Sequence, residues 1–168
     1  MFIDEIQKGK TSRKTIFFSK AIGKKVEYNS QYSDRYTGSG PLTLVDGLTG
    51  SIAHNDNYWQ GWHEDDMDVT IDLSKVESLS RISMGFLESH GSWIFLPTRV
   101  MVSFSDDGNS YKKQIEIQIA DGKRGGAANR VECESKNLNV SARYVRVKAI
   151  NRKKCPEWHP GSGGKTWV

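Results

Sequence analysis

Residues 142–150 read ARYVRVKAI, with Tyr144, Val145 and Val147 set among the bases Arg143, Arg146 and Lys148. An apolar residue at every second place, with charge between, is the period of a half-buried β-strand. Outward from here the same period recurs. Arg99 to Ser105 (RVMVSFS) runs into Asp106-Asp107-Gly108-Asn109, a strong turn signal, and Tyr111 to Ala120 returns with Ile115, Ile117 and Ile119 on one face. Val69 to Leu73 (VTIDL), Leu79 to Phe86 (LSRISMGF), Val131 to Cys133 and Lys25 to Tyr28 are further short strands, as are Thr15 to Ser19 (TIFFS) and Phe2 to Ile6 (FIDEI). Asp121 to Asn129 is Gly-rich and expected to be mobile. Helical periodicity nowhere exceeds about two turns. Short strands separated by turns predict an all-β chain, an antiparallel β-sandwich or jelly roll, whose loops gather at two ends.

Leu44 to Trp62, LVDGLTGSIAHNDNYWQGW, fits neither period. Gly and Asn punctuate it like a long surface loop, and a loop of that length inside a compact domain is usually functional. Asp46-Gly47 begins a tight turn, where Asp46, Thr49, Ser51 and nearby carbonyls could surround a hard cation. The alternative is that Asp46 only caps its own turn.

At 168 residues the chain fits one domain, or one domain with a short arm. Its 36% hydrophobic content and mean hydropathy of -0.59 are those of a soluble globular protein. No apolar run approaches the ~20 residues of a membrane span, and no secretory signal follows Met1. The chain is expected to be cytosolic or a fragment of a longer exported protein. Seven Lys/Arg against two acids fall in residues 1–25, a local +5, so the remainder sums to -1 of the total +4. The key loop is followed by Glu64, Asp65, Asp66 and Asp68, the wrong sign for gripping phosphates, so no nucleic acid is expected. Cys133 and Cys155 lie in no metal-type spacing and are read as free, partly buried thiols.

Enzymatic motifs are missing. There is no GxSxG, HExxH, P-loop or GxGxxG leading into a helix, and the adjacent Glu64 and Asp65 would face opposite ways on a strand. GSGGK at 161–165 lacks the spacing of a phosphate loop. The four His, at 54, 63, 90 and 159, each have a Trp close by, at 59, 62, 93 and 158. Any one Trp can be plain packing. Several His–Trp loops together suit a sugar, which presents an apolar C–H face and a ring of hydroxyls.

In order, LVDGLTGS…WQGW, VTIDLS, GFLESHGSWIFLP, VSFSDDG, ARYVRVKA and CPEWHPGSGGKTWV resemble the discoidin (coagulation factor type C) domain in its carbohydrate-binding-module branch. The nearest likeness is to C-terminal modules of Bacteroides-type β-hexosaminidases, and it covers about residues 24 to 168. The resemblance implies a galactose-binding-like β-sandwich of roughly eight strands with a structural calcium. It also implies a non-catalytic module of a secreted, periplasmic or cell-surface glycoside hydrolase, with parent glycosidase domains in the same polypeptide. Its ligand would be a terminal galactose- or N-acetylhexosamine-type sugar. The implied calcium ligands are the carbonyls of Thr43 and Leu48, the Asp46 carboxylate, and Ser51 through carbonyl and hydroxyl, completed by Asp4 (carbonyl) and Glu5 (carboxylate). The implied sugar residues are His54, Trp62, His90, Trp93, Trp158 and His159, with Asp56, Asn57 and Glu64 as polar candidates, whereas Trp59 and Trp167 read as core.

Such domains continue past the final Trp into a strand resembling FIDEI, which here stands at residues 2–6. Residues 1–23 are therefore a strand and basic linker that either replaces the last strand or ends a preceding domain; residues 24–168 are the module. The rival functions are a protein- or phospholipid-binding adhesion module and a spacer without ligand. Loop tips of Trp, His and acid, without flanking bases, disfavour anionic lipid.

Overall fold

The computed structural model describes residues 19–120 and 122–168. Its strands are β1 (Lys25–Tyr28), β2 (Met67–Glu88), β3 (Arg99–Ser105), β4 (Lys113–Ile117) and β5 (Asn129–Ile150), joined in the order β1-β2-β5-β3-β4. Every pairing is antiparallel. The chain is all-β, an antiparallel β-sandwich of the discoidin type. The FIDEI strand and residues 15–18 of TIFFS lie outside the described residues.

Two expected pairs of strands are each one long strand. Residues 69–73 and 79–86 fuse into β2, and 131–133 and 142–150 fuse into β5, each 22 residues long. The described residues thus form five strands where the resemblance implied roughly eight. The breaks seen in the sequence are bends: register slips between Asp72 and Glu77 and again between Leu79 and Arg81. At the first bend Ser74 takes φ 75°, and the Asp72 carboxylate accepts its N–H at 2.7 Å. Arg143 grips the same carboxylate with two hydrogen bonds, 2.8 and 2.9 Å. Such bends let one ladder serve both layers of a sandwich.

In the first layer Met67–Asp72 pairs with Tyr144–Ala149, flanked by β1 on one side and by β3 and β4 on the other. In the second layer Arg81–Glu88 pairs with Asn129–Lys136. Val69, Val100, Val102 and Val147 from the first layer pack with Phe86 and Cys133 from the second, and Val100 and Ala142 are fully sealed. Each such aliphatic contributes about 1.5–3 kcal/mol by burial. Cys133 and Cys155 are buried free thiols, and burial pushes the Cys133 thiol up to about 11.

The turn signal at 106–109 is realised between β3 and β4. The Asp107 carboxylate accepts the backbone N–H groups of Ser110 and Asn109, both at 2.8 Å. Those N–H groups, helped by the Ser105 hydroxyl, hold its pKa down to about 2. The return strand is shorter than expected, Lys113–Ile117 within the predicted 111–120.

The C-terminal residues position the functional end. Trp62 and Val168 exchange backbone hydrogen bonds (2.8 and 3.0 Å), while Trp167 N–H donates to Trp93 and Phe95 N–H to Trp167. Residues 166–168 therefore lie between segments 62–64 and 93–95. Buried Asn151 locks this layer: its amide donates to the carbonyls of Trp62, Asp65 and Thr166, and its oxygen accepts the Thr166 hydroxyl at 2.7 Å.

Candidate functional site

Two concavities flank the Ile94–Phe95 segment. The first is a polar basin of about 410 Å³ at the end of β2. Glu88 closes the strand, and the chain turns at once into a short 3-10 helix, His90–Ser92. Residues two apart at a strand end share a face, and the buried Glu88 and His90 meet, Oε1 to Nε2 at 3.0 Å. His90 Nδ1 accepts the Gly125 N–H at 3.2 Å, while Nε2 faces the Glu88 carboxylate. Trp158 stands edge-on to His90, centroids 5.0 Å apart, and keeps 36% of its surface exposed. Arg124, Arg152 and Glu157 complete the rim, and the Arg152 guanidinium lies 5.9 Å from the Phe95 ring centre.

His159 holds the basin's back wall. Its Nε2 donates to the His90 carbonyl at 2.9 Å and its Nδ1 accepts Gly161 N–H at 3.0 Å. Trp93 adopts φ 64°, unusual for a bulky residue, with its N–H bonded to the His90 carbonyl. Its ring lies so close over Gly161 and Gly164 that a side chain at either would collide with it. The GSGGK stretch is therefore a seat for an indole.

The second concavity is an apolar groove of about 200 Å³, walled by Tyr36, Leu44, Leu48, Trp59, Phe86 and Trp167 among others. His54 lies on its wall, edge-on to Tyr36 with centroids 5.8 Å apart. Trp59 and Trp167, expected in the core, are half-buried groove residues. Trp167 stacks on His63 at 4.4 Å, and the Trp59 indole donates to the Ser51 carbonyl.

The structure thus divides the sequence-predicted set. His90 and Trp158 share the basin, and His54 belongs to the groove. Trp62, expected to show its face to solvent, is only 2% exposed, stacked with Tyr28 and bonded through its indole N–H to Ser30. That expectation is corrected, because the ring seals the core. His90 and His159 are also buried. His90 reaches the basin by its lining edge, while His159 acts through the backbone it holds. Asp56 clamps its own loop, accepting the N–H groups of Ser51 (2.6 Å) and Tyr58 (2.9 Å), next to exposed Asn57 at φ 64°. Glu64 pairs with Lys165 at 2.6 Å. Glu88, Arg124, Arg152 and Glu157 were missed; the Glu-x-His spacing at 88–90 was the available signal for the first.

At the turn, the Asp46 carboxylate bonds to its own loop. Its Oδ1 accepts the Leu48 N–H and its Oδ2 the Ser39 hydroxyl, both at 2.8 Å. Thr43 is buried with its hydroxyl donated to Gly40 (2.8 Å). Ser51 spends its carbonyl on Trp59 and its hydroxyl on Ala53 N–H. Asp4 and Glu5 lie outside the described residues. The described residues of the turn offer one carboxylate and several carbonyls, part of the six to eight oxygens that calcium takes. No cluster of three or more His, Cys, Asp or Glu is placed to hold a metal among the described residues.

Comparison with known proteins follows the geometry. Residues 25–166 match the model of the F5/8 type C domain. No curated protein matches the chain. A fucose binding module of Streptococcus pneumoniae superposes with a TM-score of 0.54 at 16% identity, covering 89% of this chain and 89% of its own. A second, SpX-3, gives 0.55 at 14%, covering 90% and 93%. The lectin domain of lectinolysin, solved with Lewis B antigen, gives 0.52 at 14%, covering 91% and 93%. At these identities the likeness is one of fold.

Proposed function

The chain belongs to the F5/8 type C domain family, and from that premise we propose that it is a non-catalytic carbohydrate-binding module whose glycan sits in the Trp158 basin. The observation that carries this reading is the half-exposed Trp158 indole standing over a buried Glu88–His90 pair, with Arg124 and Arg152 at the rim. A sugar laid on the indole buries its C–H face, while carboxylate and guanidinium groups bond hydroxyls and select the epimer. The basin volume lies in the range of small-ligand sites, roughly 300–1,000 Å³, which the groove does not reach. The solved neighbours with fucose or Lewis B antigen in their descriptions support glycan binding as the class of function.

The sugar we assign is a terminal galactose- or N-acetylhexosamine-type residue, and the parent an exported glycoside hydrolase of β-hexosaminidase type. Calcium at the 43–51 turn is part of the same proposal. It would take the Asp46 carboxylate with the carbonyls of Thr43 and Leu48 and with Ser51, stabilising the loop and performing no chemistry.

The test is chemical-shift titration of the protein with galactose, N-acetylgalactosamine, N-acetylglucosamine and fucose. We expect shifts of the Trp158 indole at millimolar sugar, a dissociation constant of about 0.1–1 mM, or 4–5.5 kcal/mol. Shifts in none of the four at tens of millimolar, with no glycan retained on an array, would sink the proposal.

A second reading rests on Leu42, Leu44, Leu48 and Ile52, large apolar side chains exposed along one loop. They form an adhesive surface for a protein. Residues 42–58 contain Asp46 and Asp56 and no Lys or Arg, which is the wrong charge for an anionic membrane. Liposome co-sedimentation separates the lipid variant of this reading from the glycan one.

A further inference from the structure

Trp93 lines neither concavity, yet it is the other exposed indole at this end of the fold, 39% exposed beside 36% for Trp158. The chain holds it there at a local cost, since a bulky residue at φ 64° sits in the left-handed region that such side chains rarely adopt. Backbone bonds fix its position. The Trp93 N–H donates to the His90 carbonyl at 2.8 Å, and its carbonyl accepts the Trp167 N–H at 3.0 Å. Glycine fixes its ring. Indole atoms Cζ2, Cζ3 and Cη2 occupy the space that a Cβ at Gly161 or Gly164 would need. The loop beneath is closed on itself: Cys155 N–H donates to the Gly164 carbonyl (2.7 Å) and Gly163 N–H to the Cys155 carbonyl (3.0 Å). That same loop carries Trp158. Buried His159 meets both indoles edge-on, its ring centre 5.9 Å from that of Trp93 and 5.7 Å from that of Trp158.

On the reading that Trp158 holds a sugar, we propose that Trp93 is a second sugar platform and that the ligand is an oligosaccharide. Its terminal residue occupies the Trp158 basin, and a residue further along the chain stacks on Trp93. The two indoles stand within the span of a trisaccharide, and the imidazole between them keeps one sugar ring from covering both. A single hydrogen-bonded loop sets both faces before the ligand arrives, so little side-chain freedom is lost on binding. The two platforms have different tasks. Charged groups line the basin, Glu88, Arg124, Arg152 and Glu157 among them, and bonds to hydroxyls select the terminal residue. Trp93 offers a flat apolar face backed by glycine, which adds affinity and tolerates different epimers.

The test compares sugar lengths on the full chain. Galactose, N-acetylgalactosamine, N-acetylglucosamine and fucose are each titrated beside a trisaccharide that ends in the same sugar, with the tryptophan indole N–H resonances as the readout. The trisaccharide of the preferred sugar should bind roughly tenfold more tightly than the monosaccharide, and it should move the indoles of both Trp158 and Trp93. Two variants remove the second platform differently. Asn tolerates the left-handed backbone, so Trp93→Asn deletes the ring without adding strain. Gly161→Ser keeps the ring and displaces it from its seat. In each, with the melting temperature checking the fold, the trisaccharide should keep no more than about a twofold advantage. A tenfold advantage that survives in both variants overturns the proposal. If the variants do not fold, the unaltered chain decides, because a bound trisaccharide that leaves the Trp93 indole unmoved overturns it as well. Monosaccharide binding at Trp158 with no gain from the trisaccharide overturns this inference alone and leaves the glycan reading standing. Silence of Trp158 toward every sugar of either length removes both.

Discussion

The groove and the basin lie on either side of Ile94–Phe95, yet their walls respond to opposite demands. The groove is lined by core side chains seen from outside, Trp62, Met67 and Phe86 among them. The basin is lined by polar groups held in place by hydrogen bonds, Glu88 to His90 and Gly125 to His90, with Arg124, Arg152 and Glu157 beside them. The walls of an apolar concavity continuous with the core belong to the core's own packing. A concavity with an aromatic platform and fixed polar groups offers a soluble ligand both area and direction. Changes on the groove side should therefore cost stability, and changes on the basin rim should cost binding.

The largest break in that contrast comes from Trp62→Ala. Loss of a fully buried indole costs about 3–5 kcal/mol, so the variant should be unfolded or barely folded by denaturant titration. If it folds with near-native stability, the groove floor is not core and the contrast fails. Trp158→Ala should do the reverse: retain stability to within about 1 kcal/mol, as for surface changes, and lose glycan binding at least tenfold. Between them stands His159→Ala, which leaves the Gly161 N–H without its partner and the His90 carbonyl with the Trp93 N–H alone. A donor left without its partner costs about 1–3 kcal/mol when shielded from water, so the melting temperature should fall while sugar titration still moves the Trp158 resonance, more weakly. An unchanged melting temperature would show that the basin's back wall needs no lock.

Calcium sharpens the comparison on the groove side. At a hundred times its dissociation constant, an ion binding only the native state adds about 2.7 kcal/mol. Calcium should raise the melting temperature and Asp46→Ala should cancel the rise; no rise at millimolar calcium removes the ion from the account. The smallest effect belongs to carboxylates remote from both concavities. Burial raises the Asp68 pKa, but hydrogen bonds from Arg146 and Asn29 with the nearby Arg146 and Lys148 charges outweigh it and leave it lowered. Backbone N–H groups hold Asp107 at about 2. A folded pKa below the unfolded value near 3.9 gives stability that is whole above about pH 4 and lost as pH falls toward about 2. Asp68→Asn and Asp107→Asn should each flatten that acid limb in pH-dependent melting while leaving sugar affinity at pH 7 unchanged.

Much of the sheet was legible because a strand's period survives in one dimension. Val145 and Val147 alternate with Arg146 and Lys148, and the structure buries the valines and pairs Arg146 with Asp68 at 2.7 Å. The bends of β2 and β5 were read as strand ends, since a register slip interrupts the period as a turn does. The candidate site was only half legible. Trp158 and His90 were singled out, but the same reasoning chose Trp62, and nothing local separates an indole that plugs the core from one that faces solvent.

By itself the sequence determined the class of fold, the long loop at 44–62, the turn at Asp107 and the absence of enzymatic motifs, because each is a short-range pattern of period, turn chemistry or spacing. Only the tertiary structure decided which aromatics are buried, that His54 and His90 fall in different concavities, and that Glu88, Arg124 and Arg152 gather around Trp158. Those outcomes depend on contacts between residues far apart in the chain, such as His159 with the His90 carbonyl and Lys20 with Glu77. Packing selects among such contacts by shape and by the cost of burying polar groups, and neither quantity is written in any one stretch of residues.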